Sequence, residues 1–128
     1  MFCANIEKVR IFKNTWFTRF AGKEGITDAE LREAVTQLEA GQPDADLGGG
    51  VYKIRLARPG EGKSGGYRVI VFFRSEDKAF YQYGFAKSDR ANIRRKELKA
   101  FKEAAKEYFA LSPDQLRDWL KRGKLIEL

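Results

Sequence analysis

The 128-residue chain contains no histidine, one cysteine and three prolines. Without histidine the commonest general base is missing, and too few ligands remain for a zinc-type metal site. Any chemistry must run on lysine, arginine, tyrosine or carboxylates, with no metal or other cofactor expected. The single Cys3 excludes an internal disulfide and fits a reducing compartment. With no histidine to activate it, Cys3 reads as a passive residue. No apolar run is long enough for a signal peptide or a membrane span, so a cytoplasmic location without membrane association is expected.

Ten Phe, five Tyr and two Trp, by contrast, supply ample core material. The length predicts a single domain over residues 1–128. Charges are frequent but interleaved with the aromatics, which argues against disorder. A net charge of +7 favours a polyanionic partner such as nucleic acid, or an acidic protein that masks the cations.

Residues 8–13, KVRIFK, alternate as a short strand. Asn14 can cap a helix carrying Trp16, Phe17 and Phe20 that ends near Gly22–Gly25. Thr27 and Glu30 form a capping box, with Ile26 and Leu31 as its staple, and open a helix through Leu38 that Gly41 and Pro43 stop. A polar loop with Asp44 and Asp46 follows. Residues 51–58 and 67–74 read as strands joined by a loop over 59–66. A third strand over 79–86 is expected to be aromatic on one face through Tyr81, Tyr83 and Phe85. From Ser88 the period becomes helical, with Leu98, Phe101, Ala105, Tyr108 and Phe109 on one face. Ser112-Pro113-Asp114-Gln115 opens a last helix, and the LIEL tail can add an edge strand. Three strands with short connections imply an antiparallel meander with the helices on one face, an α+β fold.

That meander carries cations where packing residues are usual. Lys53 and Arg55 point one way on their strand, away from Tyr52, Ile54 and Leu56. Arg68 falls on the matching side of the next strand, and Lys87 ends the third. A wet sheet face normally carries charge. Such a face usually mixes signs, however, because like charges directly opposite each other destabilise. Residues 51–74 hold Lys53, Arg55, Arg58, Lys63, Arg68 and Arg74 against the single acid Glu61. One sign concentrated on a sheet points to an anion site, most naturally for phosphate. Gly62-Lys63-Ser64 is not a P-loop, since Ala57 stands where that motif needs glycine and a strand follows where it needs a helix. Arg90, Arg94, Arg95 and Lys96 read either as a solvated helix face or as a patch for RNA backbone.

YKIRL at 52–56, GGYRVIVFF at 65–73 and YGFAKSDRANI at 83–93, in this order and spacing, resemble the RelE/ParE superfamily of toxins from type II toxin–antitoxin systems. The likeness is nearest to its HigB-like branch and spans most of the chain. It implies a compact RelE-like fold, with two N-terminal helices packed on one face of the sheet and C-terminal helices after it. It also implies a metal-independent endoribonuclease acting on mRNA, commonly on the ribosome, and silenced by a cognate antitoxin. In this branch the antitoxin is often a helix-turn-helix protein, so DNA is met only through the antitoxin complex. Carried across residue by residue, Lys53, Arg55, Arg68 and Lys87 take the catalytic positions. Arg58, Lys63, Arg74, Arg90 and Arg94 are left to hold RNA. The pattern departs at Ser88, where RelE has an arginine, and near Arg94, where it has a tyrosine; Tyr81 or Tyr83 could supply a phenol if either lies on the cationic face. Two other readings stay open: a ParE-like toxin that binds DNA gyrase and cuts no RNA, and a degenerate toxin that only binds its antitoxin.

Overall fold

The computed structural model describes residues 9–58 and 62–128; Cys3, Glu61 and the side chain of Lys63 lie outside the described residues. The elements in order are β1 (Arg10–Asn14), α1 (Thr15–Glu24), α2 (Asp28–Glu39), β2 (Ala45–Gly48), β3 (Val51–Arg58), β4 (Gly62–Arg74) and β5 (Lys78–Ala86). They are followed by α3 (Arg95–Phe109), α4 (Pro113–Lys121) and β6 (Leu125–Glu127). The fold is α+β and RelE-like, as the motifs imply. Among the described residues, no helix is long and apolar enough to cross a membrane.

The capping signals act as read. Asn14 Oδ1 accepts from the Phe17 N–H at 2.7 Å. Thr27 and Glu30 exchange bonds of 2.9 and 3.2 Å, and Ser112 and Gln115 bonds of 2.8 and 3.1 Å. Each satisfies amides that a helix start leaves without partners. The expected onset of helix at Ser88 is displaced. Helix α3 begins at Arg95, not Ser88, because Glu97 Oε1 accepts from the Arg94 N–H at 2.7 Å and fixes the start there.

The meander β3–β4–β5 is antiparallel, but the sheet is larger than the meander. Its order is β2-β3-β4-β5-β1-β6, and β1 lies parallel to β5 with Lys13 opposite Tyr81. The stretch around Asp46, expected as loop, forms edge strand β2 against β3. Residues from Gly62, expected as loop, extend β4. Both gain backbone partners that no side-chain period announces.

The expectation of helices on one face alone is also corrected. Helices α1 and α2 bury Phe17, Leu31 and Leu38 against Ile54, Val69, Val71 and Tyr81. On the opposite face, α3 and α4 pack Ala105 and Leu116 against Val51, Ile70, Phe72 and Phe80. Phe12, which by alternation shares a side of β1 with Arg10, is fully buried in that second core. Apolar residues on both sides of the central strands require two covering layers.

One irregularity reassigns the aromatics of β5. Between the pairs Ile70↔Tyr83 and Val71↔Tyr81 the strand carries one extra residue, Gln82. A bulge of this kind shifts the alternation of faces. Tyr81 therefore faces α2, donating its hydroxyl to the Leu31 carbonyl at 2.7 Å. Tyr83 and Phe85 fall on the side of Arg68 instead, so the three aromatics do not share a face. Asn14 Nδ2 holds the bulge, donating to the Gln82 carbonyl at 3.1 Å and to its Oε1 at 3.2 Å.

Gly50, at the turn into β3, has φ +82°, and a Cβ there would lie 2.6 Å from Phe109. Gly50→Ala should therefore cost about 1–3 kcal/mol, from left-handed strain plus overpacking. Gly22→Ala, with open space in α1, should be neutral or gain up to about 1 kcal/mol. Urea unfolding midpoints of the two variants measure the contrast.

Candidate active site

The site forms at the corner where β2, β3 and β4 run side by side. Arg55 stands directly opposite Arg68, and Lys53 opposite Ile70 one step along the same face. Two guanidinium groups in register repel unless an anion sits between them. Asp44, the residue before β2, supplies it. Its Oδ1 lies 2.6 Å from Arg55 Nε, while Oδ2 lies 3.6 Å from Lys53 Nζ and 4.0 Å from Arg68 Nε. Three cations thus converge on one carboxylate whose side chain is only 12% exposed.

The corner is not the open wet face expected. Arg68 is 4% exposed, so its charge is held inside protein, where an ion needs partners. It also donates to its neighbour Tyr67's carbonyl at 3.5 Å. Arg55 is half-exposed and looks outward. A hollow of about 350 Å³ opens beside it, lined by Gln37, Gln42, Pro43, Asp44, Ile54 and Arg55. A small anionic group arriving there would meet Arg55 first.

A second set of contacts braces the corner from the far side. Lys53 Nζ donates to Asn92 Oδ1 at 3.4 Å, and Arg90 Nε to the Asn92 carbonyl at 3.0 Å. Arg90 in turn donates to Glu97 at 2.6 and 3.2 Å and to the Tyr83 hydroxyl at 3.1 Å. Its guanidinium also lies 5.2 Å from the centre of the Phe85 ring. Hydrogen bonds from Arg90 and from the Arg94 N–H hold the Glu97 carboxyl down to about 2. Burial pushes the Tyr81 phenol upward, and its face excludes it from this corner. Tyr83 is the phenol on the cationic side.

The remaining sequence candidates scatter. Lys87 is exposed, two residues past the Arg68–Phe85 pair, and its N–H donates to the Gly66 carbonyl at 3.0 Å. Arg58 Nη1 reaches Ser88 Oγ at 3.3 Å, and its guanidinium lies over the Tyr67 ring. Arg74 does not join the corner. It lies six residues, about 20 Å, along β4 from Arg68 and stacks on Phe109 at 4.3 Å. Arg94 is exposed at the start of α3. Asp44 and Asn92 were missed as site residues. The excess of cations over acids in 51–74 was the available signal that a counter-ion must come from elsewhere.

A sheet of this order, covered on both faces and bearing a cationic corner, defines a small α+β protein of RelE-like fold. Compared with known protein families, residues 9–128 match the RelE toxin of the RelE/RelB toxin–antitoxin system, and the chain belongs to that family. It is therefore a toxin of a toxin–antitoxin system, for which the family implies a RelB-type antitoxin as partner.

The Arg90–Glu97 pair gives a pH-dependent contribution with a definite sign. Because Glu97 is depressed below its ordinary 4.5, its contribution is full above that value and is lost as pH falls towards about 2. Glu97→Gln should lower Tm by a few degrees at pH 7, with the difference from wild type vanishing near pH 2. Thermal unfolding of both proteins across that range is the check.

Proposed function

We propose that this toxin is a metal-independent endoribonuclease that cuts mRNA, in association with the ribosome, at the Asp44 corner. The observation that carries this reading is the convergence of Lys53, Arg55 and Arg68 on a single carboxylate. A carboxylate is an oxyanion, as a phosphate is, so three groups that can surround one can surround the other. RelE-family toxins are generally ribonucleases, which fits the same corner.

In the proposed reaction the ribose 2′-hydroxyl attacks the adjacent phosphorus and the P–O5′ bond breaks. The products are a 2′,3′-cyclic phosphate and a free 5′-hydroxyl. Arg55 and Arg68 carry the developing charge on the phosphorane, since guanidinium stays protonated and grips phosphate in a fork. Lys53 or Lys87 accepts the 2′ proton, which then has to be matched by a proton delivered to the leaving 5′ oxygen. The family pattern's arginine after Lys87 is replaced by Ser88, but Arg58 reaches Ser88 from β3 and brings a guanidinium to that place. Tyr83, bonded to Arg90, offers a phenol in place of the family's tyrosine near Arg94 and could protonate the leaving 5′ oxygen.

Asp44 must yield its cations when RNA arrives, and it is also a second candidate proton acceptor. The pH profile separates the two. A lysine base must first lose its proton, so the single-turnover rate should keep rising above neutral pH. A plateau already reached at pH 6 would assign the proton to a carboxylate and discard the lysines as base.

The main test adds the protein to a cell-free translation reaction and maps mRNA ends by primer extension. Wild type should create discrete new ends. Arg55→Ala, half-exposed and therefore tolerated by the fold, should cut about a hundredfold more slowly. Arg68→Ala, checked for folding by Tm, should abolish the ends. No ends from wild type, with translation undisturbed, would favour a gyrase-binding or purely antitoxin-binding toxin. Unchanged cleavage in both variants would keep the enzyme and discard the site.

A further inference from the structure

Strand β1 stops pairing with β5 at Lys13↔Tyr81, so beyond the Gln82 bulge β5 has no strand on that side. Helix α1 leaves the sheet there and brings Trp16 against Tyr83, with ring centres 4.7 Å apart. Trp16 also stacks on Phe20 at 5.3 Å with an interplanar angle of 14°. Although held by two rings, Trp16 remains 43% exposed.

Between α1 and the end of β5 runs an open groove of about 440 Å³, lined by Trp16, Arg19, Lys23, Tyr83, Phe85 and Arg90. Two acids, Glu24 and Asp89, also border it. Glu24 is already engaged, accepting the Tyr67 hydroxyl at 2.9 Å. Arg19 and Lys23 are exposed and form no ion pair with any described residue. The groove is therefore aromatic on its wall, and its rim carries Arg19 and Lys23 beside Glu24 and Asp89. A chain of contacts links it to the Asp44 corner: Arg90 lies over both Tyr83 and Phe85, and Phe85 is the cross-strand partner of Arg68. Two strand spacings, roughly 10 Å, separate the Arg68 column from the Trp16 edge.

We propose that this groove is a nucleobase subsite for single-stranded RNA. Trp16 stacks a base close along the strand to the phosphate held at the Asp44 corner, and Arg19 and Lys23 hold the backbone beyond it. The proposal rests on the ribonuclease reading above and adds a second anchor to it. Exposed indole provides a face on which any base can stack, and rim cations meet the phosphates on either side. Two exposed cations outside any ion pair among the described residues, next to a bare indole face, favour single-stranded nucleic acid over an apolar peptide as the occupant.

The chain has only two tryptophans, so Trp119→Phe leaves Trp16 as the sole emitter. Titration with a fluorescently labelled 2′-O-methyl oligonucleotide, which cannot be cut at the 2′ position, reads binding by anisotropy and stacking by Trp16 emission. Saturable quenching is expected along the same curve as the anisotropy change. Inorganic polyphosphate, which has no bases, should bind without quenching. Trp16→Ala should weaken oligonucleotide binding about tenfold, and Trp16→Phe should recover much of it. If Trp119→Phe fails to fold, the difference in emission between wild type and Trp16→Ala supplies the same signal.

Oligonucleotide binding with unchanged Trp16 emission, and undiminished in Trp16→Ala, overturns the subsite and assigns the groove to a protein partner. It leaves the ribonuclease reading intact. No oligonucleotide binding under any condition overturns the groove as an RNA site. Appearance of mRNA ends in the translation reaction then decides the nuclease separately.

Discussion

Two arginines, Arg55 and Arg68, face each other across neighbouring strands, an arrangement that repels by itself. The corner exists because Asp44 sits among them and Lys53, one carboxylate shared by three cations. That sharing keeps the side chains convergent in the free protein, so a phosphate would find the donors already gathered. It also sets a condition on function. A buried guanidinium such as Arg68 cannot be left without an anion, so in the proposed reaction the carboxylate and the substrate phosphate must exchange places or share the cations. Asp44 is suited to such an exchange, because it precedes a four-residue strand at the edge of the sheet and is not held in its middle.

The Gln82 bulge has a comparable reach. One additional residue in β5 sends Tyr81 into the core under α2 and turns Tyr83 and Phe85 towards the cations. Asn14 links the bulge to the helix it caps, since its Oδ1 accepts from Phe17 while its Nδ2 donates to Gln82. The start of α1, the position of Trp16 and the orientation of Tyr83 are thus set by a single local junction. A regular strand would have stacked all three aromatics against the N-terminal helices and left the cationic corner without a phenol.

Covering both faces of the sheet fixes where a ligand can approach. Helices α3 and α4 seal Ile70, Phe72 and Phe80 on the face that carries Arg68. Among the described residues, the end bearing Asp44, Arg55 and the 87–94 turn stays open. The Arg90–Glu97 pair ties that turn to α3, and Asn92 ties it to Lys53. The open end is therefore braced from β2 on one side and α3 on the other.

Much of this was legible in the chain because it is local. Caps at Asn14, Thr27 and Ser112 depend on residues three apart, and the alternation in 51–58 and 67–74 depends on residues two apart. The cations Lys53, Arg55 and Arg68 could be placed on one face from that alternation alone, and three short motifs pointed to the family. The tertiary structure decided what depends on distant partners. Asp44 reads as loop polarity until β2 pairs with β3, and the side of β1 shared by Arg10 and Phe12 is buried at Phe12 only because α3 and α4 cover it. Tyr83 changes side because of one residue whose effect is invisible without the neighbouring strand's register. Periodicity reports which residues share a face of their own element, whereas charge neutralisation and burial are settled between elements. The sequence by itself determined most of the elements and the sign of their charge; packing determined the edge strand β2, which anion holds the cations together and which aromatics stand beside them.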